Sequence, residues 1–94
     1  MDSYIIYPDG YEHPIYPKAA DGMFTVTQLQ DIVDGYVDVE DIGENCLVYN
    51  ADGDLDDKPY NRKATELVRS HNEEFRRIIS GPAVVCKRGR IRLG

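Results

Sequence analysis

Tyr36-Val37-Asp38-Val39-Glu40-Asp41-Ile42-Gly43-Glu44-Asn45-Cys46-Leu47-Val48-Tyr49 decides the fold. Val37 and Val39 alternate with Asp38 and Glu40, the period of a half-buried strand. Gly43, Glu44 and Asn45 turn the chain, and Cys46 to Tyr49 form a second, more apolar strand. Two strands this close in sequence predict an antiparallel hairpin.

Upstream, Phe24-Thr25-Val26-Thr27-Gln28-Leu29 is a helix start. Thr25 as N-cap puts Gln28 at N3 and sets Phe24 against Leu29, a capping box with a hydrophobic staple. Val26, Leu29, Ile32 and Val33 make the apolar stripe, and Gly35 is the expected C′ residue. Further back, Tyr4 to Tyr7 suits a strand, and Pro8-Asp9-Gly10 supplies a turn. Tyr11 to Tyr16 is a second extended piece, which Pro14 keeps at a sheet edge.

Downstream, Ala64, Leu67, Val68, His71, Phe75, Ile78 and Ile79 fall at steps of three and four. That is a helical stripe with Asn61 as candidate N-cap. The pattern leaves open one helix or two broken at His71–Asn72. Arg62–Glu66, Arg69–Glu73 and Glu73–Arg77 stand at i,i+4 spacing. Gly81-Pro82 stops the helix, Ala83 to Cys86 make a last core strand, and a basic tail runs over 87–94. The expected fold is one α+β domain over 1–94: a small, mainly antiparallel sheet of four or five strands with two helices on one face.

Composition narrows the function. The 94 residues hold no apolar run near the eighteen needed for a membrane span. No basic region with an apolar stretch behind it opens the chain, so a cytoplasmic protein is expected. Cys46 and Cys86 are too few for a disulfide scaffold and read as buried thiols. The net charge of −6 opposes generic binding to DNA or acidic lipid. It conceals a split: residues 1–57 carry fourteen acids and one base, residues 58–94 ten bases and three acids. Such asymmetry marks either an interaction surface or two halves that pair internally.

The sequence order from Val33 onward also resembles a known family. Asp34-Gly35-Tyr36-Val37, Tyr49-Asn50-Ala51-Asp52-Gly53, Pro59-Tyr60-Asn61-Arg62 and Ile78-Ile79-Ser80-Gly81-Pro82 carry the likeness. It is to small domains of unknown function found largely in bacteriophages, plasmids and gut bacteria. Asp34 stands where that family has a first glycine, and Asn-Ala-Asp-Gly stands for its Asn-Glu-Glu-Gly turn. The resemblance implies a small phage or mobile-element protein at work in a bacterial cytoplasm, with no catalytic residues to carry over.

No catalytic or metal motif stands out. A calcium loop starting at Asn50 would need glycine and glutamate where Leu55 and Asn61 stand; one starting at Asp52 meets Asp57 and Lys63. Cys46, Cys86, His13 and His71 lack ligand spacing, and both cysteines fall in apolar strands. His71, on the apolar stripe, reads as partly buried. Ser3, Ser70 and Ser80 lie in no nucleophile elbow, and no phosphate loop appears. The expectation is therefore no enzyme, no cofactor and no metal, with a weak metal or ligand site around Asp52–Asp57 as the least favoured reading.

Tyr36 and Tyr49 read as core-covering residues; Tyr4, Tyr7, Tyr11, Tyr16 and Tyr60 lie near turns or edges, where tyrosine serves equally well in an interface. The leading expectation is a non-enzymatic protein-binding module. It acts through an acidic surface of Asp38, Glu40, Asp41, Asp52, Asp54, Asp56 and Asp57 flanked by Tyr49 and Tyr60. Its partner is a host protein with a basic nucleic-acid-binding surface, such as a defence nuclease inhibited in anti-CRISPR or anti-restriction fashion. The alternative is direct nucleic-acid binding through Lys87, Arg88, Arg90 and Arg92, on an extended ribbon whose arginines point one way.

Overall fold

The computed structural model describes residues 3–92. Strands β1 (Tyr4–Ile6) and β2 (Glu12–Pro14) form the first hairpin, and a short β3 (Phe24–Thr25) leads directly into helix α1 (Val26–Val33). Next come β4 (Val37–Ile42) and β5 (Asn45–Asn50), helix α2 (Arg62–His71), β6 (Ala83–Lys87), a 3-10 turn (Arg88–Arg90) and β7 (Ile91–Arg92). The main sheet is antiparallel, in the order β2-β1-β6-β5-β4, and β3 pairs in parallel with β7. The α+β class with a five-stranded sheet is as expected.

Local signals placed these elements. Ile42 pairs with Asn45, so Gly43-Glu44 is a two-residue hairpin turn, and Gly43 at φ +78 supplies the positive φ such a turn demands. Thr25 Oγ1 accepts the Gln28 N–H at 3.1 Å, and Phe24 and Leu29 are both buried. The return half of the capping box is replaced: the Gln28 side chain accepts from Lys18 N and donates to Tyr16 O, tying down the loop before α1. Thr25→Ala is expected to cost about 1 kcal/mol in a urea melt through loss of the cap. Thr27, exposed on the first turn, should cost less.

The helices lie on opposite faces of the sheet, correcting the one-face expectation. Ile6, Leu47, Tyr49, Ala83 and Val85 pack with Ala64 and Val68 of α2. Their strand neighbours Ile5, Cys46, Val48, Val84 and Cys86 pack with Phe24 and with Leu29 of α1. Side chains alternate faces along a strand, so the unbroken apolar runs Cys46–Tyr49 and Ala83–Cys86 require cover on both sides. Cys46 and Cys86 are cross-strand partners with their sulfurs 3.9 Å apart. That contact, then burial, pushes the Cys86 thiol well above its ordinary value, while the same contact lowers Cys46.

The helical stripe ends early. A single helix stops at His71, with Asn72 in extended geometry. Phe75 and Ile79 still reach the core, from an irregular segment, while Ile78 is exposed. His71 is exposed as well, its Nδ1 against Leu67 O and Ser70 Oγ, and is not the partly buried residue expected. Of the three expected i,i+4 pairs, Arg62–Glu66 forms, at 2.9 Å. At the end of α1 the left-handed residue is Asp34 (φ 59), one place before Gly35. Aspartate tolerates that conformation, and Asn50 Nδ2 donates to Val33 O and Asp34 O, capping the helix from β5.

Candidate interaction site

The early end of α2 frees Arg77 for other partners. Its Nη1 bonds Asp38 Oδ2 and lies 3.1 Å from Tyr49 Oη, and its Nη2 donates to Ala51 O at 2.7 Å. The guanidinium also sits 5.2 Å from the centre of the Tyr49 ring, in cation–π range. Tyr49 Oη donates to Glu40 Oε2 at 3.0 Å. Three expected site residues, Asp38, Glu40 and Tyr49, are thus brought together around an arginine that sequence reasoning had assigned to Glu73. Tyr49 is 1% exposed, so its ring is core rather than contact surface.

Burial, then the Glu40 carboxylate, raises the Tyr49 hydroxyl above its ordinary value of 10.0. A group whose pKa is raised by folding stabilises the fold below its unfolded value, and that contribution is lost as pH rises beyond it. Stability is expected to fall above about pH 10. Tyr49→Phe should flatten this alkaline loss in a pH series of urea melts. Tyr4, raised by burial and by Glu12, keeps part of it.

Beyond Ala51 the chain turns through residues 51–57. Asn50 Oδ1 accepts from Asp52 N, and Asp52 O accepts from Leu55 N and Asp56 N. Asp52, Asp54, Asp56 and Asp57 are all exposed, and Leu55 at the tip is 79% exposed. Gly53 anchors the turn: a Cβ there would stand 2.7 Å from Ser80 O, closer than packed atoms tolerate. Ser80 bridges Tyr60, so the acidic turn and Tyr60 share a neighbour, and Tyr60 is 47% exposed. Gly53→Ala should push the turn off Ser80 at about 1–3 kcal/mol, read as a drop of several degrees in Tm.

The opposite flank comes from the end of α1. Ala51 N donates to Tyr36 O at 2.8 Å, and Lys58 Nζ bonds Asp34 Oδ2 at 3.0 Å. Tyr36 is 74% exposed, against the expectation that it covers the core; its carbonyl meets Ala51 at the root of the acidic turn, and it lines a shallow recess with Gln30, Asp31 and Asp34. Tyr36 and Leu55 are surface residues that sequence reasoning missed. Tyr36 carries the valine–acid alternation into its strand, and Leu55 is a lone apolar residue among acids, so neither has a pattern of its own. Asp41 is exposed on β4, on the opposite face from Asp38 and Glu40.

The two charged halves are stitched together. Four of the five ion pairs among the described residues join them: Asp34–Lys58, Glu12–Lys63, Asp38–Arg77 and Asp21–Arg92. Asp52, Asp54, Asp56 and Asp57 enter none of these.

The basic tail is not an extended ribbon. Arg88–Arg90 forms a 3-10 turn, and Ile91–Arg92 pairs with Phe24–Thr25. Arg92 bonds Asp21, Arg90 Nη1 donates to Gly22 O, and Arg88 N donates to Glu44 O. Lys87, the last residue of β6, is exposed. The tail's last two residues, 93 and 94, lie outside the described residues. A recess of about 450 Å³ beside α1 is lined by residues including Ile15, Tyr16, Thr25 and Ile32, with Lys18 and Asp31 as its charged groups. Among the described residues, no group of three or more His, Cys, Asp or Glu could hold a metal ion, and no helix is long and apolar enough to cross a membrane.

An antiparallel sheet covered on both faces, with an acidic turn at one end, defines a small α+β domain. The chain belongs to the family described as Domain of unknown function (DUF3846), whose model matches residues 1–91. No curated protein and no solved structure matches the chain.

Proposed function

We propose that this domain is a non-enzymatic protein-binding module whose contact surface is the acidic turn Asp52–Asp57 with Tyr36, Leu55 and Tyr60. The observation that carries the reading is the charge left over after internal pairing. Arg77, Lys58, Lys63 and Arg92 answer acids elsewhere, while four carboxylates in six residues stay exposed around an exposed leucine. Such a surface repels phosphate backbones and draws a basic protein groove, with aromatic and aliphatic side chains as anchors once contact is made. Asp38 and Glu40 serve mainly to hold Arg77 and Tyr49, which fixes Ala51 at the root of the turn.

A host nucleic-acid-binding protein, occupied by a phage or mobile-element product in the bacterial cytoplasm, is the partner class that fits this charge. Inhibition of a defence nuclease is the corresponding activity. The test is capture from bacterial lysate on the immobilised domain, with and without nuclease, identified by mass spectrometry. The reading expects a basic protein retained after nuclease treatment and displaced by DNA. Capture that vanishes with nuclease, together with a shifted labelled oligonucleotide, would favour nucleic-acid binding through Lys87, Arg88, Arg90 and Arg92 instead.

A further inference from the structure

Strand β4 has a single partner, β5, and its other edge pairs with no strand among the described residues. In an antiparallel pair, alternate residues exchange both backbone bonds or neither. Ala51 N donates to Tyr36 O, and Ile42 faces Asn45 across the two-residue turn. Tyr36, Asp38, Glu40 and Ile42 therefore bond to β5, while Val37, Val39 and Asp41 turn their N–H and C=O outward. Consistent with this, the Val39 N–H meets the Asp38 carboxylate of its own strand at 3.2 Å. Beside this edge lies an open recess of about 410 Å³ lined by Val26, Val37, Asp38 and Val39. The two sides of the edge differ: Val37 and Val39 face the α1 side, Asp38 and Glu40 the α2 side.

We infer that the edge of β4 accepts an extended segment of a partner protein as a sixth, antiparallel strand, one that alternates apolar with basic residues. Backbone bonds to Val37, Val39 and Asp41 supply the ladder. Apolar side chains sit over Val26, Val37 and Val39, and basic ones meet Glu40 on the other side, beside the Asp38–Arg77 pair. Charge selects the occupant. On the α2 side Arg77 answers Asp38 and leaves the charge of Glu40 unanswered, and Asp41 adds a second unanswered acid at the end of the valine side. A second copy of this chain added at the same edge would set acids against acids, which is destabilising, so self-pairing is blocked and a basic segment is favoured. The inference rests on the acidic-surface reading and adds the mode of contact.

The probe is a capped eight-residue peptide alternating valine with arginine, titrated into the isotope-labelled domain, with amide exchange followed residue by residue. The amides of Val37, Val39 and Asp41 are expected to gain protection on binding. In an antiparallel ladder, bonded partners share a face, so the valines of the peptide bond to β4. N-methylation of the valine amides should weaken binding at least about tenfold, because several ladder bonds are lost together. N-methylation of the arginine amides should leave it near the parent value. Equal weakening by both methylated peptides would overturn edge addition. So would binding without protection at β4, which, if confined to Asp52–Asp57, leaves the acidic-surface reading standing. Protection of the same amides by self-association, with no peptide present, would overturn the choice of occupant.

Discussion

Asn61→Ala is expected to lower the stability of the domain by about 3–4 kcal/mol, the largest loss predicted for a side chain outside the apolar core. Asn61 is fully buried. Its Oδ1 accepts the Ala64 N–H at 3.1 Å and caps α2, while its Nδ2 donates to Ile6 O at 2.8 Å and Gly81 O at 2.9 Å. One amide therefore joins α2, β1 and the entry to β6. Alanine would strand a buried N–H and two buried carbonyls, each of which costs about 1–3 kcal/mol when left without a partner, less what relaxation and water recover. Domains of this size have about 5–15 kcal/mol in total, so the loss should be plain as a lowered urea midpoint at unchanged slope. Asn61→Asp keeps the cap acceptor and loses the donor, and should be damaging too. A loss below about 1 kcal/mol for alanine would contradict the bridging role.

How legible these features were depends on the range of the interaction. The Thr25 cap and the alternation of Val37 and Val39 with acids are local and fully legible, and the hairpin turn was legible too, though Asn45, read as part of it, belongs to β5. Asn61 was legible as a cap, yet its bonds to Ile6 and Gly81 span distant parts of the chain and have no local mark. Asn50 was read as a turn residue for the same reason. The stripe through Phe75 and Ile79 misled because an irregular segment can also deliver residues four apart to a core, and the extra helix it implied gave Arg77 to Glu73. The sides of the sheet were legible and misread: Cys46-Leu47-Val48-Tyr49 has no polar position, which is the signature of a strand buried on both faces. The charge split left internal pairing and an interaction surface equally open, and only the folded chain shows which acids pair and which are left over.

Those leftover acids give the second large effect. Reversing Asp52, Asp54 and Asp56 to lysine is expected to slow association with a basic partner by about tenfold or more and to flatten its dependence on salt. Asp57 is left in place because it sits at φ +58, where aspartate is tolerated and lysine would strain the backbone, confounding charge with stability. The three reversed residues are exposed and outside every ion pair of the described residues, so the urea midpoint should barely move. Unlike a change in packed contacts, an effect of this kind falls on the on-rate more than the off-rate.

The most direct measurement compares the wild type, this aspartate variant and an Arg88, Arg90 and Arg92 to alanine variant, side by side. Association kinetics with the captured partner are followed across a salt series, alongside a gel shift with a labelled oligonucleotide at physiological salt. The account predicts a slow, salt-insensitive aspartate variant, an arginine variant close to wild type, and no oligonucleotide shift by the wild-type domain. A clear shift by the wild type, lost in the arginine variant and kept in the aspartate variant, would contradict it.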